Sequence, residues 1–97
     1  MSKESNFQAS LIKELKKRFK GCIVLKNDAN YLQGICDLTI FFGKKWAALE
    51  CKASATAPHQ PNQEYYVNRM NLMSFARFIY PENRQEVLDE LQQAFES

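Results

Sequence analysis

The chain has 97 residues, 45% of them hydrophobic, and a net charge of +2 at neutral pH. This length predicts one small domain over residues 1–97 with a single core, and the composition excludes a disordered chain. No apolar stretch approaches the roughly 20 residues of a membrane-spanning helix. The first residues lack the apolar segment of a signal peptide, so we expect a cytoplasmic protein without a membrane partner.

The first quarter of the chain predicts a helix followed by a short strand. Residues 5 to 19 have apolar side chains at helical spacing, and Ser5 is placed to cap the start of the helix. Gly21 ends the helix. Residues 22 to 25 form a short apolar run with β-branched side chains, which is typical of a buried strand. The apolar stripe of the helix consists of Phe7, Leu11, Ile12, Leu15 and Phe19.

Two apolar runs that flank a Gly-Lys-Lys turn at residues 43–45 predict a β-hairpin. If the two lysines form the loop, Asp37 faces Lys52 and Glu50 lies on the diagonal. If the glycine and the first lysine form the loop, Asp37 lies directly opposite Glu50. In both registers the three side chains share one face of the sheet, because side chains alternate along a strand. A loop one residue longer would place them on different faces.

Two carboxylates that converge inside an apolar run are costly unless a cation compensates them. Hard oxygen ligands suit Mg²⁺ or Mn²⁺, and a lysine nearby can hold a phosphate oxygen or orient a water. The alternative is a salt bridge between Lys52 and either Asp37 or Glu50 on a partly solvated sheet face. The arrangement of elements around the hairpin favours the metal site.

The second half of the chain predicts a helix, a strand and a final helix. Pro61 suits the first turn of a helix that runs to about residue 72. Residues 74 to 80 alternate as a strand, and residues 81–83 break the chain before the last helix. The complete order is α-β-β-β-α-β-α, which predicts an α/β fold. The side chains expected to face inward are Tyr66, Val67 and Met70 on the second helix and Val87, Leu88, Leu91 and Phe95 on the last.

This order of elements, with Asp37 on one strand and Glu50-Cys51-Lys52 on the next, resembles the PD-(D/E)XK nuclease superfamily. Within it, the chain is similar to the small virus-type VRR-NUC and Holliday-junction-resolvase-like nucleases. Those members carry a glycine shortly before the aspartate, here Gly34. They also carry a glutamine on the helix after the Glu-x-Lys strand, here Gln63 or, less well placed, Gln60.

The resemblance implies a restriction-endonuclease-like core, in which helices flank a mixed central sheet, and a metal-dependent hydrolysis of DNA phosphodiester bonds. Mg²⁺ or Mn²⁺ would be held by Asp37, Glu50 and the backbone carbonyl of Cys51. Glu14 on the first helix is the candidate for a further ligand, since many members carry a glutamate there. Lys52 would position the attacking water or stabilise the phosphate.

Further implications concern the remaining catalytic residue, the substrate and the partners. Gln63 completes the catalytic set, and Cys36 replaces a family proline that shapes the backbone. Resolvase-like relatives commonly act as homodimers, and the small size and virus-type likeness suggest a phage protein in the host cytoplasm. We expect structure-selective or weakly sequence-specific cleavage, with no nucleotide cofactor. The residues expected to contact nucleic acid are Lys44, Lys45, Asn68 and Arg69.

Two alternatives remain open at this stage. A catalytically inactive module of the same fold would bind nucleic acid or a protein without metal-dependent turnover. A plain structural or interaction domain, with a charged strand face that pairs internally, would bind neither a metal nor DNA in a salt-sensitive way.

The odd number of cysteines, at Cys22, Cys36 and Cys51, predicts free thiols instead of disulfides.

Overall fold

A computed structural model describes residues 2–97 of the chain. The chain is an α/β protein, as the sequence predicts. None of the described helices is long and apolar enough to pass through a membrane. Its elements are α1 (Lys3–Arg18), β1 (Ile23–Lys26), β2 (Leu38–Phe42), β3 (Lys45–Cys51), α2 (Pro61–Met73), β4 (Phe75–Ile79), a 3₁₀ turn (Pro81–Asn83) and α3 (Arg84–Glu96).

One mixed sheet of four strands lies at the centre of the molecule, in the order β1-β2-β3-β4. The first three strands are antiparallel neighbours, and β4 lies parallel to β3. A parallel neighbour requires a crossover connection, and α2 supplies it between β3 and β4. The sheet therefore has helices on both faces, which confirms a mixed sheet flanked by helices.

The two faces of the sheet support two separate apolar clusters. The larger cluster joins α1 and α3 to one face of the sheet. It includes every side chain of these helices that was predicted to face inward, with the exception of Ile12. Ile12 is partly buried and packs against the cluster. The smaller cluster joins α2 to the other face through Val67, Ala48 and Ala76, with Met70 at its margin. Because side chains alternate along a strand, β3 and β4 contribute to both clusters, whereas β1 and β2 contribute only to the larger one.

β1 is an exposed edge strand, so the prediction of a buried strand is wrong. Ile23 is 59% exposed and Leu25 is 46% exposed, whereas Val24 packs against the larger cluster. The cause is the placement of α2, which packs over β3 and β4 and leaves the same face of β1 open.

The first helix begins earlier than predicted. Ser2 and not Ser5 is its capping residue, since the Oγ of Ser2 accepts a hydrogen bond from the backbone N–H of Ser5 at 3.0 Å. The cysteines are free thiols, as expected, with Cys36 and Cys51 buried and Cys22 partly exposed.

Candidate active site

The hairpin turn determines which side chains meet at the other end of the strands. Gly43 and Lys44 form the two-residue loop, and Gly43 has a φ of +62°. A positive φ at the first loop position is what a type II′ turn requires, and glycine adopts it without strain. The strand pairing that follows leaves Asp37, immediately before β2, opposite Glu50 on β3. The structure thus adopts the second of the two predicted registers.

The carboxylates of Asp37 and Glu50 are fixed by reciprocal contacts with the backbone. The N–H of Asp37 donates to Oε1 of Glu50 at 3.1 Å, and the N–H of Cys51 donates to Oδ2 of Asp37 at 2.9 Å. These hydrogen bonds engage one oxygen of each carboxylate and leave the other oxygen outside the contacts with the backbone. Because the N–H and C=O of a residue in a regular strand point to the same side, we expect the carbonyl of Cys51 on the side of Asp37 as well.

Lys52 is the third member of this cluster and is almost completely buried, with 5% of its surface exposed. Its Nζ donates to Oε1 of Gln63 at 2.5 Å and to the carbonyl of Pro58 at 3.2 Å, and lies 3.9 Å from Oε2 of Glu50. Oε1 of Gln63 also accepts from the N–H of Gln60 at 2.9 Å. Of the two glutamines that the resemblance offered, Gln63 is therefore the one that contacts the lysine.

Ionisation of both carboxylates would leave the cluster with one negative charge more than Lys52 compensates. Glu50 is only 2% exposed, and burial together with the charge of Asp37 raises its pKa to about 8, although Lys52 opposes this shift. Burial also raises the pKa of Asp37, against the hydrogen bond from Cys51 and the charge of Lys52. A buried pair of this kind resists the second ionisation unless further positive charge is bound.

This electrostatic arrangement predicts how stability depends on pH. The pKa of Glu50 in the folded protein lies near 8, above its ordinary value of 4.5, so the folded state holds a proton that the unfolded chain releases in this range. We expect the free energy of unfolding of the metal-free protein to fall by about 2–4 kcal/mol between about pH 5 and about pH 8. Urea denaturation at several pH values measures this slope.

The control for this prediction separates Glu50 from the other carboxylates. Glu50→Gln should remove most of the decline, whereas Glu86→Gln, at an exposed position of α3, should retain it. The neighbouring charges are Asp37 and Glu4, which oppose ionisation of Glu50, and Lys52, which favours it. A wild-type stability that stays flat or rises over this range contradicts the prediction.

The structure does not bring Glu14 to the cluster. Its carboxylate pairs with Arg84 on α3, with Oε1 at 2.7 Å from Nε and 2.6 Å from Nη2. The glutamate of α1 that lies close to the cluster is Glu4, whose pKa is raised by partial burial and by the charge of Asp37. The two glutamates are separated by roughly 15 Å along the helix axis.

A signal for Glu4 was present in the order of the elements. The connection between α1 and β1 is short, so the last turn of α1 lies beside the start of β1. β1 is antiparallel to β2 and starts beside the end of β2. The first turn of α1 therefore lies at the end of the sheet where Asp37 precedes β2, which is the place of Glu4.

The residues expected to contact nucleic acid lie at different distances from this cluster. Lys44 and Lys45 are at the hairpin tip, on the order of 20 Å along the strands from Asp37. The Nζ of Lys45 donates to the carbonyl of Ala94 at 3.2 Å. Asn68 and Arg69 are exposed on α2, about 8 Å along the helix beyond Gln63.

Gly34 holds the loop before Asp37 against the first turn of α2. It is buried and has a φ of +90°. A Cβ at this position would lie 2.3 Å from Cβ of Asn62 and 2.7 Å from its backbone carbon. Only glycine permits this approach, which places the Asp37 segment beside Gln63.

Gly34→Ala is expected to destabilise the protein by about 2–4 kcal/mol, because a positive φ and a steric overlap both oppose it. Gly21→Ala is the matched control, since Gly21 has the same φ of +90° but nothing within 4 Å of an added Cβ. Thermal or urea unfolding of both variants measures the difference, which isolates the overlap with Asn62. Equal destabilisation of the two variants would show that the close approach has no energetic role.

The donor atoms suit a hard cation. They are two carboxylate oxygens and one backbone carbonyl, and Mg²⁺ is commonly held by one or two carboxylates while it keeps several waters. Within residues 2–97, no cluster of three or more His, Cys, Asp or Glu side chains is placed to hold a metal ion.

Comparison of the chain with models of protein families, with characterised proteins and with solved structures gave no match.

Proposed function

We propose that the chain is a Mg²⁺- or Mn²⁺-dependent endonuclease of the PD-(D/E)XK type, with a restriction-endonuclease-like core, that hydrolyses phosphodiester bonds in DNA. The observation that carries the proposal is the position of Asp37 opposite Glu50, with Lys52 on the same face and held by Gln63. Three features support the proposal. The turn at Gly43 sets the register that pairs Asp37 with Glu50, both carboxylates are partly or fully buried, and Gln63 on α2 holds the ammonium group of Lys52 in place.

Asp37, Glu50 and the carbonyl of Cys51 would hold the cation. A bound divalent cation would lower the pKa of a coordinated water and offset the negative charge that develops on the phosphate. The fit rests on the chemistry of the donor set, in which two carboxylates and a backbone carbonyl come together at one strand end, and a bound cation would favour the ionised forms of both carboxylates. One oxygen of each carboxylate stays with the backbone, so ligation need not disrupt the strand ends.

Besides the cation, the candidate site has one positive charge from a side chain, the ammonium group of Lys52. An ammonium group has three N–H donors, and two of them are used by Gln63 and Pro58. The third is available for a phosphate oxygen or for the attacking water. Gln63 acts as a positioning residue, because its contact with the ammonium fixes where this donor can reach.

Cleavage of a labelled DNA panel tests the proposal. The panel contains duplex, single-stranded, flap and four-way-junction DNA, each incubated with Mg²⁺, Mn²⁺ or EDTA. We expect cleavage that requires the metal, with branched DNA preferred over simple duplex. If the protein binds these DNAs but cuts none of them with either metal, it is a catalytically inactive binding module and the nuclease proposal fails.

The proposal includes a homodimer. It is supported by the open edge of β1, where unpaired backbone groups lie next to the exposed side chains of Ile23 and Leu25. Such edges are suited to pairing with another chain. Light scattering under assay conditions should give twice the 11.3 kDa mass of one chain, and Ile23→Lys should shift the protein to the monomer. A wild-type protein that stays monomeric removes the dimer from the proposal.

A further inference from the structure

A groove of about 300 Å³ lies beside the candidate active site, between the loop that follows β1 and the first turn of α2. We call it the amide groove, since side-chain amides dominate its walls. Its principal lining residues are Gln33, Gly34, Gln60, Pro61, Asn62 and Gln63.

The amide groove offers neutral hydrogen-bonding groups and no charge. None of its lining residues is acidic or basic. Among residues 2–97, the side-chain amides of Gln33 and Asn62 make no hydrogen bond, and Gln63 uses only its Oε1. Free amide donors and acceptors without a cation suit a neutral polar ligand better than a phosphate group, which basic side chains recognise.

Gln63 connects the amide groove to the reacting groups. Its Oε1 accepts from Lys52, and its amide nitrogen is free on the same side chain. A DNA strand with its scissile phosphate at Lys52 and Glu50 would place the neighbouring nucleotide within reach of this groove. Pro61 supplies an apolar surface at the groove wall, which suits the flat face of a base.

We propose that the amide groove binds the base of a nucleotide adjacent to the scissile phosphate, with a preference for adenine. This inference rests on the proposed nuclease function and deepens it. Adenine presents a donor beside an acceptor, and Asn and Gln amides form paired hydrogen bonds with that pattern. The site thus gives a structure-selective nuclease a modest base preference at one position.

The test uses a DNA from the cleavage panel with its cut position mapped. The nucleotides on either side of the cut are replaced in turn by adenine, thymine or an abasic residue. Binding is measured by fluorescence anisotropy with Ca²⁺ in place of Mg²⁺, and cleavage is measured with Mg²⁺. We expect DNA with adenine at one of the two positions to bind at least about 5-fold more tightly than the same DNA with thymine or an abasic residue there, in keeping with one paired amide contact.

Asn62→Ala should remove this preference and leave the fold intact. Alanine keeps the Cβ that packs against Gly34, and the amide that is lost is exposed and makes no hydrogen bond within the described chain. Gln33→Ala provides a second variant on the opposite wall. Gln93→Ala, an exposed amide on α3, is the control that should retain the preference.

The outcomes separate this inference from the function on which it rests. If the protein cleaves DNA with metal but neither cleavage nor binding depends on the two neighbouring bases, the proposal for the amide groove is wrong and the nuclease proposal is unaffected. A base preference that survives in both Asn62→Ala and Gln33→Ala also overturns it. If no DNA in the panel is cut, the nuclease proposal fails, and the proposal for the amide groove fails with it because the groove is defined by the position of the cut.

Discussion

Glu50→Gln is expected to reduce metal-dependent DNA cleavage by roughly three orders of magnitude. The substitution keeps the shape of the side chain, and its oxygen can still accept the hydrogen bond from the N–H of Asp37. What it removes is the negative charge that would hold a divalent cation between Asp37 and the carbonyl of Cys51. Initial rates on the preferred DNA, over a range of Mg²⁺ concentrations, measure the effect.

The control for Glu50→Gln must show that the loss concerns charge and not folding. Because Glu50 is buried with a raised pKa, its neutral analogue should be at least as stable as the wild type at pH 8. A less active but more stable variant is therefore the expected combination. Retained cleavage in a homogeneous, folded preparation would exclude Glu50 as a metal ligand and remove the main support for the nuclease.

Lys52→Met should reduce turnover by about 100-fold or more and leave the requirement for metal in place. Methionine fills a similar volume but carries no ammonium, so the contact with Gln63 and the donor available to the substrate are both lost. The loss should persist at saturating Mg²⁺, because Lys52 is not a ligand of the cation. Single-turnover cleavage with excess protein separates this loss from weaker DNA binding.

Two comparisons complete the Lys52 experiment. Lys16→Met removes one exposed positive charge from α1 and should have a small effect on single-turnover rates. Gln63→Ala should reproduce part of the Lys52→Met loss, because Gln63 acts through the lysine. If Gln63→Ala has no effect while Lys52→Met does, the 2.5 Å contact has no role in positioning.

The parts of the fold that follow local patterns were predictable from the sequence. The stripes of α1 and α3 repeat at helical spacing over several turns, and Leu11, Leu15, Leu88 and Leu91 are fully buried as expected. The apolar run of β1 carried no such information, because a run of only four apolar residues is compatible with both a buried strand and an edge strand. Its exposure depends on where α2 packs, which is a long-range property.

The part of the candidate site that depends on the alternation of side chains along a strand was predictable from the sequence. Both short turns place Asp37, Glu50 and Lys52 on one face, and the choice between them depends on the turn geometry. A glycine followed by one further residue already favours a type II′ turn, so Gly43 contained the signal that decides the register. Glu4 was missed because its position depends on the direction of α1 relative to the sheet, and helix periodicity does not contain that information.

The placement of the chain ends relative to the sheet has a practical consequence. α1 begins at Lys3, one residue before Glu4 at the candidate site, whereas the contact between Lys45 and Ala94 places the end of α3 near the hairpin tip. Imidazoles of a polyhistidine purification tag attached at the α1 end of the chain would be tethered close to the candidate site and would compete with its carboxylates in any titration with Mn²⁺. Purification tags and fluorescent labels for these assays therefore belong after Ser97.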